Sequence, residues 1–424
     1  MLSQLLPGMI ECKRSCANRP ESNTGLSLCL RVVLVVLLLL ALGPHVLLVT
    51  AQGLDAAALL KPTTDTWPTY NGDYSGRRFS ALDQINPGNV GSLTLAWIFQ
   101  PHLSAIKSTP LEVNGVLYFT VPDNVWAVDA RFGREIWHYQ RVSEGDHIGN
   151  RGLGMYKNWL YFTTPDAHLV CLDAKDGTVR WIVELADPKL GYFATMAPLI
   201  IRNHVVVGVS GDVTDVRGFL ESRDPETGDV QWRWYTEPDP GQPGSETWPK
   251  EPDALLHGGG MTWMTGTYDP ELDLLYWGTG NPNPVLAGEG RPGDNLYTCS
   301  IVALNPDTGK LAWYFQPSPH DVHDWDAVET PVLFDAEYKG SSASFSHRPA
   351  AMVFSFCSIE RMASIWSQRR LSTRLGLPAS TPAAARSLSR KPLPARTARW
   401  SSLVQMEPAI GWRPALIPRP ACFM

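Results

Sequence analysis

The sequence predicts an all-β chain of four-stranded sheets stacked one on the next, and three observations carry that expectation. Its 424 residues include 35 Gly, 35 Pro and 16 Trp, a mix suited to many short strands and turns rather than long helices. One pattern recurs four times: "VWAVDARFGREIWHY" from Val125, "LVCLDAKDGTVRWIV" from Leu169, "LESRDPETGDVQWRW" from Leu220 and "IVALNPDTGKLAWYF" from Ile301. A further strand pair precedes these units, as in "PLEVNGVLYFT" (Pro110 to Thr120), "APLIIRNHVVVGVS" (Ala197 to Ser210) and "TYDPELDLLYWGTG" (Thr267 to Gly280).

The chain opens on a basic leader, Lys13, Arg14, Arg19 and Arg31, followed by the apolar run Val32 to Gly43. "VTA" (Val49 to Ala51) then places small residues for cleavage before Gln52. Gly43, Pro44 and His45 interrupt the apolar stretch. Residues 1–51 are therefore expected to be a cleaved export signal rather than a retained anchor, which puts the rest in the periplasm or outside the cell. The net charge of -6 gives no reason to expect a nucleic-acid partner. The seven cysteines show neither zinc spacing nor a haem-attachment motif.

In each repeat an Asp or Asn (Asp129, Asp173, Asp224, Asn305) is followed by Gly (Gly133, Gly177, Gly228, Gly309) and then Trp (Trp137, Trp181, Trp232, Trp313) at fixed offsets. The spacing reads as strand, tight turn, strand. Gly supplies the left-handed backbone, Asp or Asn bonds back onto the turn, and the Trp packs on a neighbouring sheet. With the preceding strand pair each period holds about four strands. The first three anchors lie 44 and 51 residues apart (129 to 173 to 224), the size of a β-propeller blade. About four to five blades are expected within residues 52–340.

The tail, residues 341–424, departs from this pattern. It has no Asp, two Glu and two Gly against eleven Arg, and no strand alternation continues through it. It is expected to be disordered or aberrant, and its composition fits translation out of frame. Shifted by two nucleotides, codons for Ala351 to Ala363 can encode Asn-Gly-Phe-Phe-Phe-Leu-Leu-Asp-Arg-Thr-Asn-Gly, a strand followed by the repeat's own Asp-to-Gly spacing. A frameshift between about Lys339 and Ala351 would produce it.

Several stretches carry a family resemblance: "WPTYNGDYSGRRFSALDQINPGNVGSLTLAWIFQ" (Trp67 to Gln100), "HGGGMTWMTGTYDP" (His257 to Pro270), "YWGTGNPNP" (Tyr276 to Pro284) and "RPGDNLYTCSIVALNPDTGKLAWYFQPSPHDVHDWD" (Arg291 to Asp326). Together they resemble the N-terminal half of the pyrroloquinoline-quinone (PQQ) dependent alcohol dehydrogenases, whose full fold is an eight-bladed propeller. The resemblance implies oxidation of a small-molecule alcohol to an aldehyde or ketone, with PQQ and calcium as cofactors. Electrons would leave to a separate cytochrome or quinone partner.

It also implies roles residue by residue. Trp263, outside the repeat register and after three glycines, would stack on the quinone, since an indole offers a broad planar face. Arg151 would bind the cofactor's acidic rim. Thr195, Ser210, Gly211 and Asp212 would surround it. Asn281 and Asp324 would hold calcium, a hard ion that takes oxygen ligands. Asp324, in "HDVHDWD", would be the general base, with Asp326 the alternative and a zinc site from His320, His323 and the aspartates a rival.

Three departures stand out. Gly145 and Asp146 replace the adjacent cysteines of some members, Lys107 replaces an acidic residue, and Val213 stands where a calcium-ligating Glu is usual, beside Asp212. With the tail out of frame the chain as written is expected to be inactive. A non-catalytic exported propeller that binds partner proteins is the alternative function.

Overall fold

The computed structural model describes residues 53–335, apart from 55, 62, 102–105, 146–147, 212–213 and 251–256, together with 351–354. The expectations for the leader, and for all of the tail but 351–354, lie outside the described residues.

Four antiparallel sheets follow one another, each a four-stranded meander. The first contains β1 (Leu111–Val113), β2 (Val116–Val121), β3 (Asn124–Asp129) and β4 (Arg134–Gln140). The second contains β5 (Gly154–Tyr156), β6 (Trp159–Thr163), β7 (His168–Asp173) and β8 (Val179–Glu184). The third contains β9 (Leu199–Ile201), β10 (His204–Gly208), β11 (Phe219–Arg223) and β12 (Val230–Tyr235). The fourth contains β13 (Thr267–Asp269), β14 (Leu274–Gly278), β15 (Ile301–Leu304) and β16 (Leu311–Phe315). A fifth sheet has two strands, β17 (Val332–Asp335) and β18 (Ala351–Phe354). The expected all-β propeller of four to five blades is what forms. β18 is a strand within the tail, where no strand alternation is expected, and it forms by pairing along the edge of β17.

Each repeat works as its chemistry requires. The N–H of Gly133, Gly177, Gly228 and Gly309 returns to the carbonyl of its anchor Asp or Asn at 2.8–2.9 Å. All four glycines are left-handed, with φ between 66° and 79°. The anchor side chain accepts a backbone N–H two residues on, at 2.9 Å for Asp129, 3.0 Å for Asp173 and 2.8 Å for Asp224. Beside every anchor the third and fourth strands slip register, a bulge repeated in all four blades.

The Trp of one blade docks on the turn of the next. A Cβ at Gly177 would lie 2.7 Å from the Trp137 ring, and one at Gly309 2.5 Å from that of Trp232. Only glycine lets the indole sit so close. Trp137 Nε1 donates to Ala174 O at 3.0 Å and Trp232 Nε1 to Pro306 O at 2.7 Å. Trp181 lies over Gly228 without a partner for its N–H. Inner strands such as β3, β10 and β11 are buried along their length, whereas the outer strands β4 and β8 are mostly open. The core therefore lies between sheets, and the loops beyond the strand ends are free to carry a site.

Candidate active site

Residues from four separated stretches meet on those loops. Arg151 sits just before β5, its backbone bonded to Thr109 and Thr195. Its guanidinium donates to Thr195 Oγ1 at 2.5 Å and lies 4.7 Å from the ring centroid of Trp263. Thr195 Oγ1 is 3.4 Å from Ser210 Oγ, and both residues are buried. Gly211 follows at φ 152°. Asp212 and Val213 lie outside the described residues.

Trp263 packs beside Val209, Val216, Phe219 and Met261, and its indole N–H is buried without an acceptor. Arg151 forms no ion pair among the described residues, and burial lowers its pKa against the pull of Tyr70, Asp326 and Glu329. A half-buried guanidinium that has no carboxylate partner among the described residues and lies over an indole with a free N–H suits an acidic planar ligand. This side of the site therefore fits PQQ.

The second group is bound to the first through the backbone, since Gly260 N–H donates to Asn281 O at 2.7 Å. Asn281 follows β14 and is 3% exposed. Its Nδ2 donates to Asp324 Oδ1 at 2.5 Å and to Asp326 Oδ1 at 3.3 Å. Its Oδ1 accepts the Asp326 N–H at 3.1 Å and faces the Cys299 thiol at 3.4 Å. Asp324 and Asp326 are both left-handed, at φ 67° and 49°, which turns the two carboxylates onto one amide. Desolvation raises the Asp326 pKa, and the neighbouring Asp324 charge raises it further. The two adjacent carboxylates gather oxygen donors and surplus negative charge, which fits a hard cation.

The structure thus brings Arg151, Thr195, Ser210, Gly211 and Trp263 together on one side, and Asn281 with Asp324 on the other. Asp326, the alternative base, lies beside Asp324 on the same amide. The zinc rival is not built: among the described residues no three His, Cys, Asp or Glu side chains converge on a metal position. His320 bonds Gly293 O, and His323 packs on Trp325 at 4.3 Å. A hollow of about 660 Å³, lined in part by His320 and Val322, borders the same loop but includes none of these site residues. Sequence reasoning missed Asp321 and Cys299, which lie in contact with this group; the only signal for Asp321 was its place in the acidic run.

Fold and site together define a repeat β-propeller whose loops carry a polar site suited to an acidic planar ligand. The family described as "PQQ: Glucose/ethanol/alcohol dehydrogenase, beta-propeller domain" matches residues 67–345, and the chain belongs to it. The quinohemoprotein alcohol dehydrogenase ADH IIB of Pseudomonas putida is 38% identical over 313 residues, 68% of this chain and 45% of that protein. A lanthanide-dependent methanol dehydrogenase of Methylacidiphilum fumariolicum is 35% identical, over 72% of this chain and 54% of its own length. The structure of quinohemoprotein alcohol dehydrogenase ADHIIG from Pseudomonas putida superposes with a TM-score of 0.64 at 36% identity, covering 69% of this chain and 46% of that one. The chain spans about half the length of these relatives. Its relatives are quinoprotein alcohol dehydrogenases, and its lineage is theirs.

Proposed function

We propose that these residues form one side of an active site that oxidises an alcohol to its aldehyde or ketone, with Asp324 as the general base. The observation that carries this is the convergence of Arg151, Trp263, Asn281 and Asp324 from four distant stretches of chain. A propeller needs none of them for its repeats.

PQQ, when bound, supplies a two-electron acceptor for the hydride that leaves the alcohol carbon. Trp263 provides the planar face, and Arg151 supplies the charge for an acidic rim, with Thr195 and Ser210 as neighbouring hydroxyl donors. Asp324 would take the hydroxyl proton as the carbonyl forms. Asn281 would turn its amide oxygen to a cation beside Asp324 and Asp326. Calcium follows from the family resemblance, and the Methylacidiphilum relative's name adds a lanthanide as the other occupant. Two adjacent carboxylates suit either, and a trivalent ion relieves their repulsion more strongly.

The basic leader and its apolar run support export, and a separate cytochrome or quinone would take the electrons. We assign turnover to the closed propeller, not to the 424-residue polypeptide, whose last 84 residues (341–424) read as out of frame. Sequencing the codons for Lys339 to Ala363 tests the frame. PQQ titration followed by tryptophan quenching, with calcium or lanthanum(III), tests the site. Wild type should bind, and Arg151→Ala should weaken binding about 10-fold or more, the loss of a charged contact. Failure of PQQ to bind both this chain and a frame-restored product, with no alcohol-dependent dye reduction by the latter, would refute the reading.

A further inference from the structure

The loop that delivers Asp324 is not held by its own backbone pairing. Between β16 and β17 it crosses His320, Asp324 and Asp326, three non-glycine residues with left-handed φ of 49°, 67° and 49°. Such a run stays in place only when its surroundings over-determine it. Asn281 holds Asp324 and Asp326 from outside the loop, and one side chain within the loop holds its peptides. Asp321 is 3% exposed, and its two oxygens face different peptides of the loop. Oδ1 accepts the His323 N–H at 2.9 Å and Oδ2 accepts the Trp325 N–H at 3.0 Å. These are the residues on either side of Asp324.

The same carboxylate reaches the opposite wall. Cys299 Sγ lies 3.5 Å from Asp321 Oδ2 and 3.4 Å from Asn281 Oδ1, so one thiol joins the two groups. The Asp321 carbonyl accepts from the Arg291 guanidinium, which also bonds Asn295 and the carbonyl of Pro284. The carboxylate's own hydrogen bonds go to the two peptide N–H groups and the Cys299 thiol. Its work is therefore done on peptide N–H groups.

We infer that Asp321 is a positioning residue: it clamps the peptides flanking Asp324 and thereby fixes the spacing of Asp324 and Asp326 about Asn281. This rests on the cation reading above and deepens it. Two acceptors are required at once. Asn has one acceptor oxygen and would present an N–H₂ to a peptide N–H, so Asp321→Asn keeps the volume but breaks the clamp.

The test is a terbium(III) titration of the full 424-residue chain, read by luminescence sensitised by Trp325, with calcium as competitor. Wild type should bind, and Asp324→Asn should abolish binding. Asp321→Asn should lower affinity 10–100-fold, the range for residues that orient metal ligands, at an unchanged unfolding midpoint. Absence of binding by wild type would sink the cation reading itself. Binding by wild type that Asp324→Asn abolishes and Asp321→Asn leaves intact would overturn only the role of Asp321. If Asp321→Asn also lowers the midpoint, hydrogen exchange decides. Protection lost only over residues 322–326 supports the clamp, whereas loss spread through β15 and β16 overturns it.

Discussion

"LAWIFQP" (Leu95 to Pro101) and "LAWYFQP" (Leu311 to Pro317) differ at one position of seven, Ile98 against Tyr314, yet they have different fates. Leu311–Phe315 is the outer strand of the fourth blade, paired to β15 with Trp313 opposite Ala303. Leu95 to Gln100 forms no strand, and Leu95 and Ile98 are 75% and 65% exposed. Trp97 nevertheless docks as an outer-strand Trp does. Its Nε1 donates to Ala130 O at 3.1 Å, and its ring covers Gly133. The two copies separate what a blade strand is made of. Docking on the next blade is carried by the Trp and the turn it meets. Being a strand requires a partner edge, and the inner strands that would pair with residues 95–100 are not among the described residues.

The largest effect expected from this contrast is in the docking tryptophans. Trp232 is 8% exposed, lies on a paired strand and donates across to Pro306, so Trp232→Ala should cost about 3–5 kcal/mol in urea unfolding. Trp97→Ala removes the same contacts from a chain free on its other side and should cost less than half as much. Equal losses would mean that residues 95–100 are paired in solution. The turn glycines sharpen the point at lower magnitude. Gly133 and Gly309 share φ 66°, so alanine brings the same left-handed cost of about 1–2 kcal/mol at each. At Gly309 the new Cβ also meets Trp232 on a strand that cannot yield, whereas at Gly133 it meets Trp97 on a segment that can. Gly309→Ala should therefore be the more destabilising by thermal unfolding, and a reversed order would break the comparison.

The blades were legible because their repeats state their own physics. Asp129 and Gly133 specify a turn wherever they stand, and Trp137 needs only a glycine on the next turn. The site was legible in a different way. Arg151, Trp263, Asn281 and Asp324 are ordinary loop residues when taken one by one, and only the family resemblance joined them before the fold did. Asp321 stayed hidden because its partners are the peptide N–H groups of residues 323 and 325, which carry no side-chain signature. The unpaired state of residues 95–100 could not be read at all, since almost the same seven letters form a strand at 311–315. Pairing is decided by distant chain.

The smallest expected effect is also the most direct probe of the open edge. Exposed large apolar side chains run through this region: Phe79, Leu82, Ile85, Val90, Leu93, Leu95 and Ile98. An unpaired apolar segment of this kind invites pairing with another chain, and a lysine on it is a common protection. Ile98→Lys should leave unfolding free energy within about 0.5 kcal/mol of wild type, as an exposed substitution does. It should also reduce self-association, seen by light scattering at rising protein concentration. Tyr314, the matching residue, pairs with Val302 and meets Tyr297 edge-on at 4.7 Å. Tyr314→Lys should therefore cost about 1–3 kcal/mol, because it strips a packed contact. The paired copy would then lose stability and the open copy would lose stickiness from the same substitution. If Ile98→Lys destabilises as much as Tyr314→Lys, residues 95–100 have a partner strand in solution and the contrast between the two copies falls.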